Sequence, residues 1–175
     1  VGSHPSPIIN VFENEIKEYA DVLVNRDEFE LAFENELSLA STENKGARRF
    51  VKWLEEKHQI LTILSFINAL GANDLASLKK ERKDSPRQFK RGQEIFKEVV
   101  TELRPQYILL HGAYALEQFR KQFEGYYIEF GPQNRSLLEL EGEGVFGKIK
   151  HEDGTEIMLL ACRSLSYFKE DRSIL

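Results

Sequence analysis

The segment Tyr107-Ile108-Leu109-Leu110-His111-Gly112-Ala113-Tyr114-Ala115 decides the fold class that we predict for this chain. Its first four residues are apolar or aromatic and predict a buried strand, and His111-Gly112-Ala113 predicts the turn at which a helix begins. Upstream, Ser85-Pro86-Arg87-Gln88 is typical of a helix start, because a capping residue is followed by proline at the first helical position. Strand and helix signals that alternate in this way favour an α/β fold.

Two further apolar runs complete the predicted sheet. The run Ile60 to Ile67 is continuous rather than alternating, which predicts a central strand covered on both faces, and Asn68 follows it directly. Asp153-Gly154 predicts a tight hairpin before an apolar strand at Ile157 to Ala161. We therefore predict a three-layer α/β/α sandwich in one domain over residues 1–175, with a small, mostly parallel sheet and a hairpin added near the carboxyl end.

The composition limits the partners that the chain can have. At 175 residues with 41% apolar residues, the chain can bury the core of one domain. The formal charge of −5 does not attract polyanions as a whole, so a nucleic-acid contact requires a local basic patch. We find no apolar stretch long enough to span a bilayer and no secretory leader. We expect a cytoplasmic monomer that does not bind membranes.

The cysteine and histidine content argues against a cofactor. Cys162 is the single cysteine of the sequence, so it cannot form an internal disulfide or a cysteine-rich zinc or iron–sulfur site. It follows an apolar strand, and we interpret it as a packing residue in a reducing compartment. His58, His111 and His151 have no spacing that suggests a metal site. We expect no metal and no other cofactor.

Four short motifs occur in order along the chain. They are Gly2-Ser3-His4-Pro5, Phe66-Ile67-Asn68-Ala69-Leu70, Ile108 to Ala115, and Cys162-Arg163-Ser164-Leu165-Ser166. Together they resemble the uracil-DNA glycosylase superfamily over nearly the whole chain. In that family a Gly-x-(Asp or Asn)-Pro turn positions the hydrolytic water and a strand-ending Asn reads the flipped base. A Gly-Ser or similar turn grips phosphate, and a His-Pro-Ser type loop closes the site.

The resemblance implies a base-flipping DNA repair hydrolase, and it assigns roles to particular residues. Asn68 is implied to read the Watson–Crick edge of an extruded base, and Phe12 to stack on it. Gly112 and Ala113 are implied to form the phosphate turn at a helix start. The implied substrate-binding positions are Gly2, Ser3, Pro5, Phe12, Asn68, Gly112, Ala113 and Ser164. The alternatives are that Asn68 caps its own turn, that Phe12 is a core residue and that Gly112 only makes a tight turn.

Two positions depart from the family pattern. His4 stands where the family has the water-handling Asp or Asn; a neutral imidazole could accept a proton, whereas an imidazolium would oppose an oxocarbenium-like charge. The alternative is a structural or tag-derived histidine, because residues 1–5 could be a cloning scar or a motif whose first strand lies upstream of residue 1. The closing loop lacks the family's histidine. There Arg163 could stabilise the leaving base, or it could form a surface ion pair.

These observations lead to three functional hypotheses. The first is metal-free hydrolysis of an N-glycosidic bond in DNA, with His4, Asn68 and Arg163 as catalytic residues. The second is a catalytically inactive member that binds nucleic acid, a nucleotide or a protein. The third is a small α/β hydrolase or nucleotide-binding domain of other descent. A local phosphate contact could come from a basic segment that is otherwise a solvated helix: Lys79, Lys80, Arg82, Lys83, Arg87, Lys90 and Arg91.

Overall fold

The computed structural model describes residues 1–3, 25, 41–72, 74–132, 134–151 and 153–168, and within them it is a mixed helix and strand structure. The helices are α1 (Thr42–His58), α2 (Leu75–Asp84), α3 (Pro86–Leu103), α4 (Ala113–Gln122) and α5 (Leu137–Glu143), with a 3-10 turn at Leu165–Tyr167. The strands are β1 (Tyr107–His111), β2 (Tyr127–Glu129), β3 (Val145–Lys150) and β4 (Glu156–Cys162). None of the helices in these ranges combines the length and the apolar character needed to cross a bilayer. The predicted α/β class is confirmed.

Local sequence signals explain where the helices begin. The Ser41 hydroxyl accepts a hydrogen bond from the Asn44 N–H at the start of α1. Helix α3 begins at Pro86 as predicted, although the Ser85 side chain makes no capping hydrogen bond. Ser136 and Glu139 form a reciprocal capping box at the start of α5, where we did not predict a helix.

The sheet has four strands in the order β1-β4-β3-β2. β1 pairs with β4 in parallel, whereas the β4–β3 and β3–β2 pairings are antiparallel. The expected predominance of parallel pairing is therefore not confirmed for this sheet. The reason is that a short turn joins β3 to β4, and such a connection allows only antiparallel neighbours. That turn contains Gly154 at φ +86, which is the predicted hairpin.

The first residues of the chain extend the parallel side of the sheet. Gly2 forms a parallel bridge with Phe66. The Val1 amine donates to the Leu109 carbonyl and the His111 N–H donates to the Val1 carbonyl, which is the pattern of a parallel pair. Residues 65–67, residues 1–2, β1 and β4 therefore lie side by side and run in the same direction. We call the end where they stop the carboxyl rim; it comprises Ser3, Asn68, Gly112 and Arg163.

The prediction of a buried central strand at Ile60 to Ile67 is wrong. Only Phe66 forms a bridge, and residues 60–65 have no strand assignment. The side chain of Leu61 is 88% exposed, and Ile60 and Ile63 are also exposed. Helix α1 ends at His58 and is followed by Gln59 in the left-handed conformation, and the chain then follows the surface before it enters the sheet. An apolar run indicates a tendency to be buried, but burial also requires neighbouring elements that cover the run.

Two hydrophobic clusters pack on the strands. The larger cluster joins β1, β3 and β4 to α3, α4 and α5, and includes Phe96, Phe119 and Ala161. The smaller cluster is formed by α1 and the 3-10 turn, and Cys162 packs against it. Because successive strand residues point to opposite faces, Ala161 and Cys162 connect β4 to a different cluster on each face.

Candidate functional site at the carboxyl rim

The structure brings Gly2 and Ser3, the described part of the first motif, together with the other three motifs at the carboxyl rim. Gly2 lies between Phe66 and His111, so closely that a Cβ atom at this position would lie 2.9 Å from His111 Nε2. Ser3 is buried directly after it. The remaining predicted residues of this motif region, His4, Pro5 and Phe12, lie outside the described residues. Their predicted roles stay predictions.

Asn68 is 1% exposed, and its side chain bonds to the protein itself. Its Oδ1 accepts a hydrogen bond from the Leu70 N–H at 2.9 Å, and its Nδ2 donates to the Phe89 carbonyl at 3.1 Å. Gly92 in α3 makes room for this arrangement, because a Cβ there would lie 2.1 Å from Asn68 Oδ1. The side chain thus caps its own turn and ties it to α3, which was the alternative interpretation. Reading a base would require the carboxamide to use the second hydrogen of Nδ2 or to exchange one of these partners.

Gly112 forms the turn between β1 and α4. Its φ of +87 lies in the left-handed region, which explains why a glycine occupies this position. Its N–H donates to the Cys162 carbonyl at 3.0 Å and so joins the ends of β1 and β4. Ala113, the first residue of α4, is exposed. The first turn of a helix presents N–H groups that have no partner within the helix, so this position is suited to an anion.

Arg163 and Ser164 make local contacts in the closing loop. The Arg163 guanidinium, 66% exposed, lies 2.6 Å from Glu141 Oε2, and its backbone N–H donates to Glu141 Oε1 at 3.0 Å. This is the surface ion pair of the alternative interpretation. The Ser164 hydroxyl accepts from the Ser166 N–H and caps the 3-10 turn. A contact of Arg163 with a leaving base stays a prediction.

Cys162, beside this loop, is a protonated thiol at neutral pH. Burial raises its pKa to about 11, so it is a weak nucleophile.

The structure adds two residues to the site that the sequence interpretation missed. His111 ends β1 and is 1% exposed, and its Nδ1 lies 3.2 Å from Oε1 of Glu43 in the first turn of α1. The approach is within ion-pair distance, but within the described ranges neither ring nitrogen has a well-aligned hydrogen bond. Burial lowers the pKa of His111, and the Glu43 carboxylate opposes this effect. The imidazole is therefore mainly neutral at pH 7.

Glu43 connects His111 to the start of α4. Its side chain is 32% exposed. A Cβ atom at Gly112 would lie 3.4 Å from Glu43 Oε1, so the carboxylate stands next to the β1–α4 turn. One oxygen of Glu43 thus touches a buried imidazole while the side chain remains partly open to solvent. Because Glu43 and His111 come from distant segments, no motif spacing could have revealed the pair.

A basic surface flanks the rim. We call α2 together with the first turns of α3 the basic hairpin; all seven of its cationic residues are exposed: Lys79, Lys80, Arg82, Lys83, Arg87, Lys90 and Arg91. Lys79 Nζ lies 5.9 Å from the ring centre of Tyr114, in the first turn of α4. The hydrogen bond from Asn68 to Phe89 joins the same hairpin to the rim. Lys90 and Arg91 form ion pairs with Glu94 on α3.

A cavity of about 620 Å³ extends from Ala113, at the start of α4, along α4 to β2 and the segment before α5. Arg120 Nη2 lies 2.7 Å from Glu129 Oε1, and Arg135 contacts Glu143 and the Phe130 carbonyl. The guanidinium groups in its wall therefore already contact acceptors of the protein. This favours a structural role for them, because a ligand would have to displace these acceptors.

Within the described ranges, no three His, Cys, Asp or Glu side chains come together in a way that could hold a metal ion. No protein-family model, curated protein or solved structure matches this chain.

Proposed function

We propose that this protein binds a nucleotide unit of a nucleic acid at the carboxyl rim and hydrolyses its N-glycosidic bond, as the uracil-DNA glycosylases that it resembles do. The observation that supports this is that the described parts of the four motifs lie at adjacent strand ends beside the basic hairpin. The carboxyl ends of parallel strands are the usual ligand sites of α/β sheets. The proposal includes a three-layer α/β/α arrangement, because helices pack on β4 through two clusters.

Phosphate contacts in this proposal come from the basic hairpin and the start of α4. The net charge of −5 gives no general attraction to DNA, so local cations must provide it. Lys79 is next to Tyr114, and Tyr114 belongs to the turn that opens α4. A phosphate at this position would meet both the lysine and the open N–H groups of the helix. We propose that the protein acts in this way as a cytoplasmic monomer without a cofactor.

In this proposal, Asn68 recognises the base. Its amide nitrogen carries two hydrogens, and the Phe89 carbonyl takes one of them. An extruded base could accept the other, or replace the Leu70 N–H at Oδ1. A mismatched base would leave a buried amide group without a partner, which costs about 1–3 kcal/mol.

A second candidate function is binding without hydrolysis. It is favoured by the contacts of Asn68 and Arg163, since each already has protein partners in the structure. The presence of His4, where the family has a water-handling Asp or Asn, also favours it.

The binding proposal is tested with fluorescently labelled oligonucleotides in anisotropy titrations at several salt concentrations. The double variant Lys80→Glu/Lys83→Glu reverses two cations of the basic hairpin. Lys57→Glu/Lys150→Glu is the matched control, because it makes the same change in net charge at two exposed lysines outside the hairpin. For the hairpin variant alone, we expect about tenfold weaker binding. We also expect the slope of log K against log salt concentration to be smaller in magnitude by about 2. Equal weakening in both variants would reject the basic hairpin as the binding surface.

The hydrolysis proposal is tested by incubating the protein with duplexes and single strands that contain uracil, hypoxanthine or other damaged bases. Release of the free base together with an abasic site supports hydrolysis. Binding without base release selects the second candidate function, and the absence of both rejects the two candidates together.

A further inference from the structure

The Glu43–His111 pair lies beside Gly2, the first residue of the motif that positions water in the uracil-DNA glycosylases. The His111 side chain is 1% exposed, and its two ring nitrogens lack aligned hydrogen bonds in the ranges that the structure describes. Its Nε2 edge faces Gly2 in the turn of the first motif, and its Nδ1 faces the Glu43 carboxylate. Burying an imidazole without aligned partners is unfavourable. Such an arrangement indicates a role beyond packing.

The chemistry of N-glycosidic cleavage favours a carboxylate at this place. As the bond to the base breaks, the sugar gains oxocarbenium-like positive charge, which a nearby carboxylate stabilises and an imidazolium would oppose. His4 cannot provide a negative charge, whereas Glu43 can. Two other carboxylates are held by arginines: Glu141 contacts Arg163, and Glu129 contacts Arg120. Glu43, by contrast, contacts a mainly neutral ring and is 32% exposed.

We propose that Glu43 is the catalytic base of the N-glycosidic hydrolysis, and that His111 is a positioning residue that holds its carboxylate. This inference rests on the proposed function and names the group that activates water in the same site. The Glu43 carboxylate accepts a proton from water, whose oxygen bonds to C1′ of the sugar. The C1′–N bond breaks and its electron pair leaves with the base. The proton then passes from Glu43 to the departing base through solvent, which yields a free base and an abasic sugar.

The first test compares Glu43→Gln with Glu55→Gln, which makes the same change at an exposed residue of the same helix. Base release is measured by chromatography on the substrate that the wild type cleaves, and oligonucleotide binding is measured by anisotropy. We expect a loss in kcat of about 100-fold or more for Glu43→Gln, with binding within about threefold of the wild type. Glu43→Asp keeps the charge on a shorter side chain and should recover part of the activity. If Glu43→Gln does not fold, Glu43→Asp decides the test.

The outcomes separate this inference from the proposed function. Turnover of Glu43→Gln equal to that of Glu55→Gln overturns the role of Glu43 and leaves hydrolysis at the rim intact. A wild type that binds but never releases a base also overturns the inference, while the binding proposal stands. A wild type that neither binds nor cleaves rejects both.

The second test separates positioning by His111 from packing. The amide nitrogen of an asparagine comes near the place of Nδ1, which faces Glu43, whereas that of a glutamine comes near Nε2. If His111 positions the carboxylate, His111→Asn should retain more kcat than His111→Gln, with KM unchanged in both. A packing role predicts the reverse order, because glutamine fills the larger volume, and that result would overturn the positioning role.

Discussion

Two polar clusters of this protein differ in the exposure of their carboxylates and in how their charges are matched. In the first, the 5% exposed side chain of Glu129 lies between Arg120 and Arg135, which we call the arginine cluster. In the second, the Glu43 carboxylate meets the neutral ring of His111. The guanidinium groups of the arginine cluster contact carboxylate and carbonyl oxygens, although their Nε atoms lack a partner in the described chain.

This difference indicates that the arginine cluster contributes to stability and the Glu43–His111 pair to function. Charges that compensate one another hold β2 and the segment before α5 to α4, and they offer little to a ligand. The Glu43–His111 pair lies instead at strand ends, with an accessible carboxylate and a ring without aligned hydrogen bonds. We expect substitutions in the arginine cluster to act on stability and substitutions in the Glu43–His111 pair to act mainly on the reaction.

The largest effect on stability is expected at Glu129. Glu129→Gln removes the charge that compensates two largely buried guanidinium groups, so we expect the free energy of unfolding to fall by about 3 kcal/mol. Glu141→Gln is the control, because its partner Arg163 is 66% exposed and should contribute less than about 1 kcal/mol. Urea denaturation followed by circular dichroism measures both. Equal losses would show that the arginine cluster is not the more stabilising arrangement.

A smaller effect is expected at Gly92, and it tests whether the Asn68 contacts belong to the folded framework. Gly92→Ala places a methyl group against Asn68 Oδ1, so we expect a loss of about 1–3 kcal/mol in the same unfolding assay. Gly142→Ala in α5 meets no atom within 4 Å and should stabilise the helix by up to about 1 kcal/mol. If Gly92→Ala were neutral, the Asn68 side chain would be free to leave its turn at no cost.

The smallest effect is the pH dependence that His111 gives to stability. Its pKa in the folded protein is lowered by burial, so the unfolded chain binds the proton first as the pH falls below the ordinary value of 6.5. The free energy of unfolding should therefore be insensitive to this residue above about pH 7 and decrease as the pH falls below 6.5. His111→Asn should lose this part of the slope. An unchanged slope between pH 7 and pH 5 would contradict a neutral, buried imidazole.

Local signals predicted the parts of the fold that depend on a few neighbouring residues. The helix start at Pro86, the turn at Gly112 and the hairpin at Gly154 each follow from the conformational limits of proline or glycine. The sequence from Ser136 to Glu139 also carries a capping-box signal for α5, which our sequence interpretation did not use.

Features that depend on distant contacts could not be predicted in the same way. The exposure of Ile60 and Leu61 depends on which elements cover them, not on their own hydrophobicity. The direction of the Asn68 carboxamide depends on the position of Gly92 in α3. Glu43 and His111 meet only because α1 packs near the end of β1. The strands β1 and β4 and the turn at Gly112 were therefore predictable from local pattern, whereas the side-chain contacts at the rim were not.

The most direct test of the proposed binding site is a map of amide chemical shifts during titration with a short oligonucleotide. If nucleic acid binds at the carboxyl rim, the largest changes should fall on Ser3, Gly112 and the basic hairpin around Lys80. The chemical shifts of the amides around Arg120 and Arg135 should not change. Changes confined to that second region, or none at saturating oligonucleotide, would contradict the proposal that the rim is the binding site.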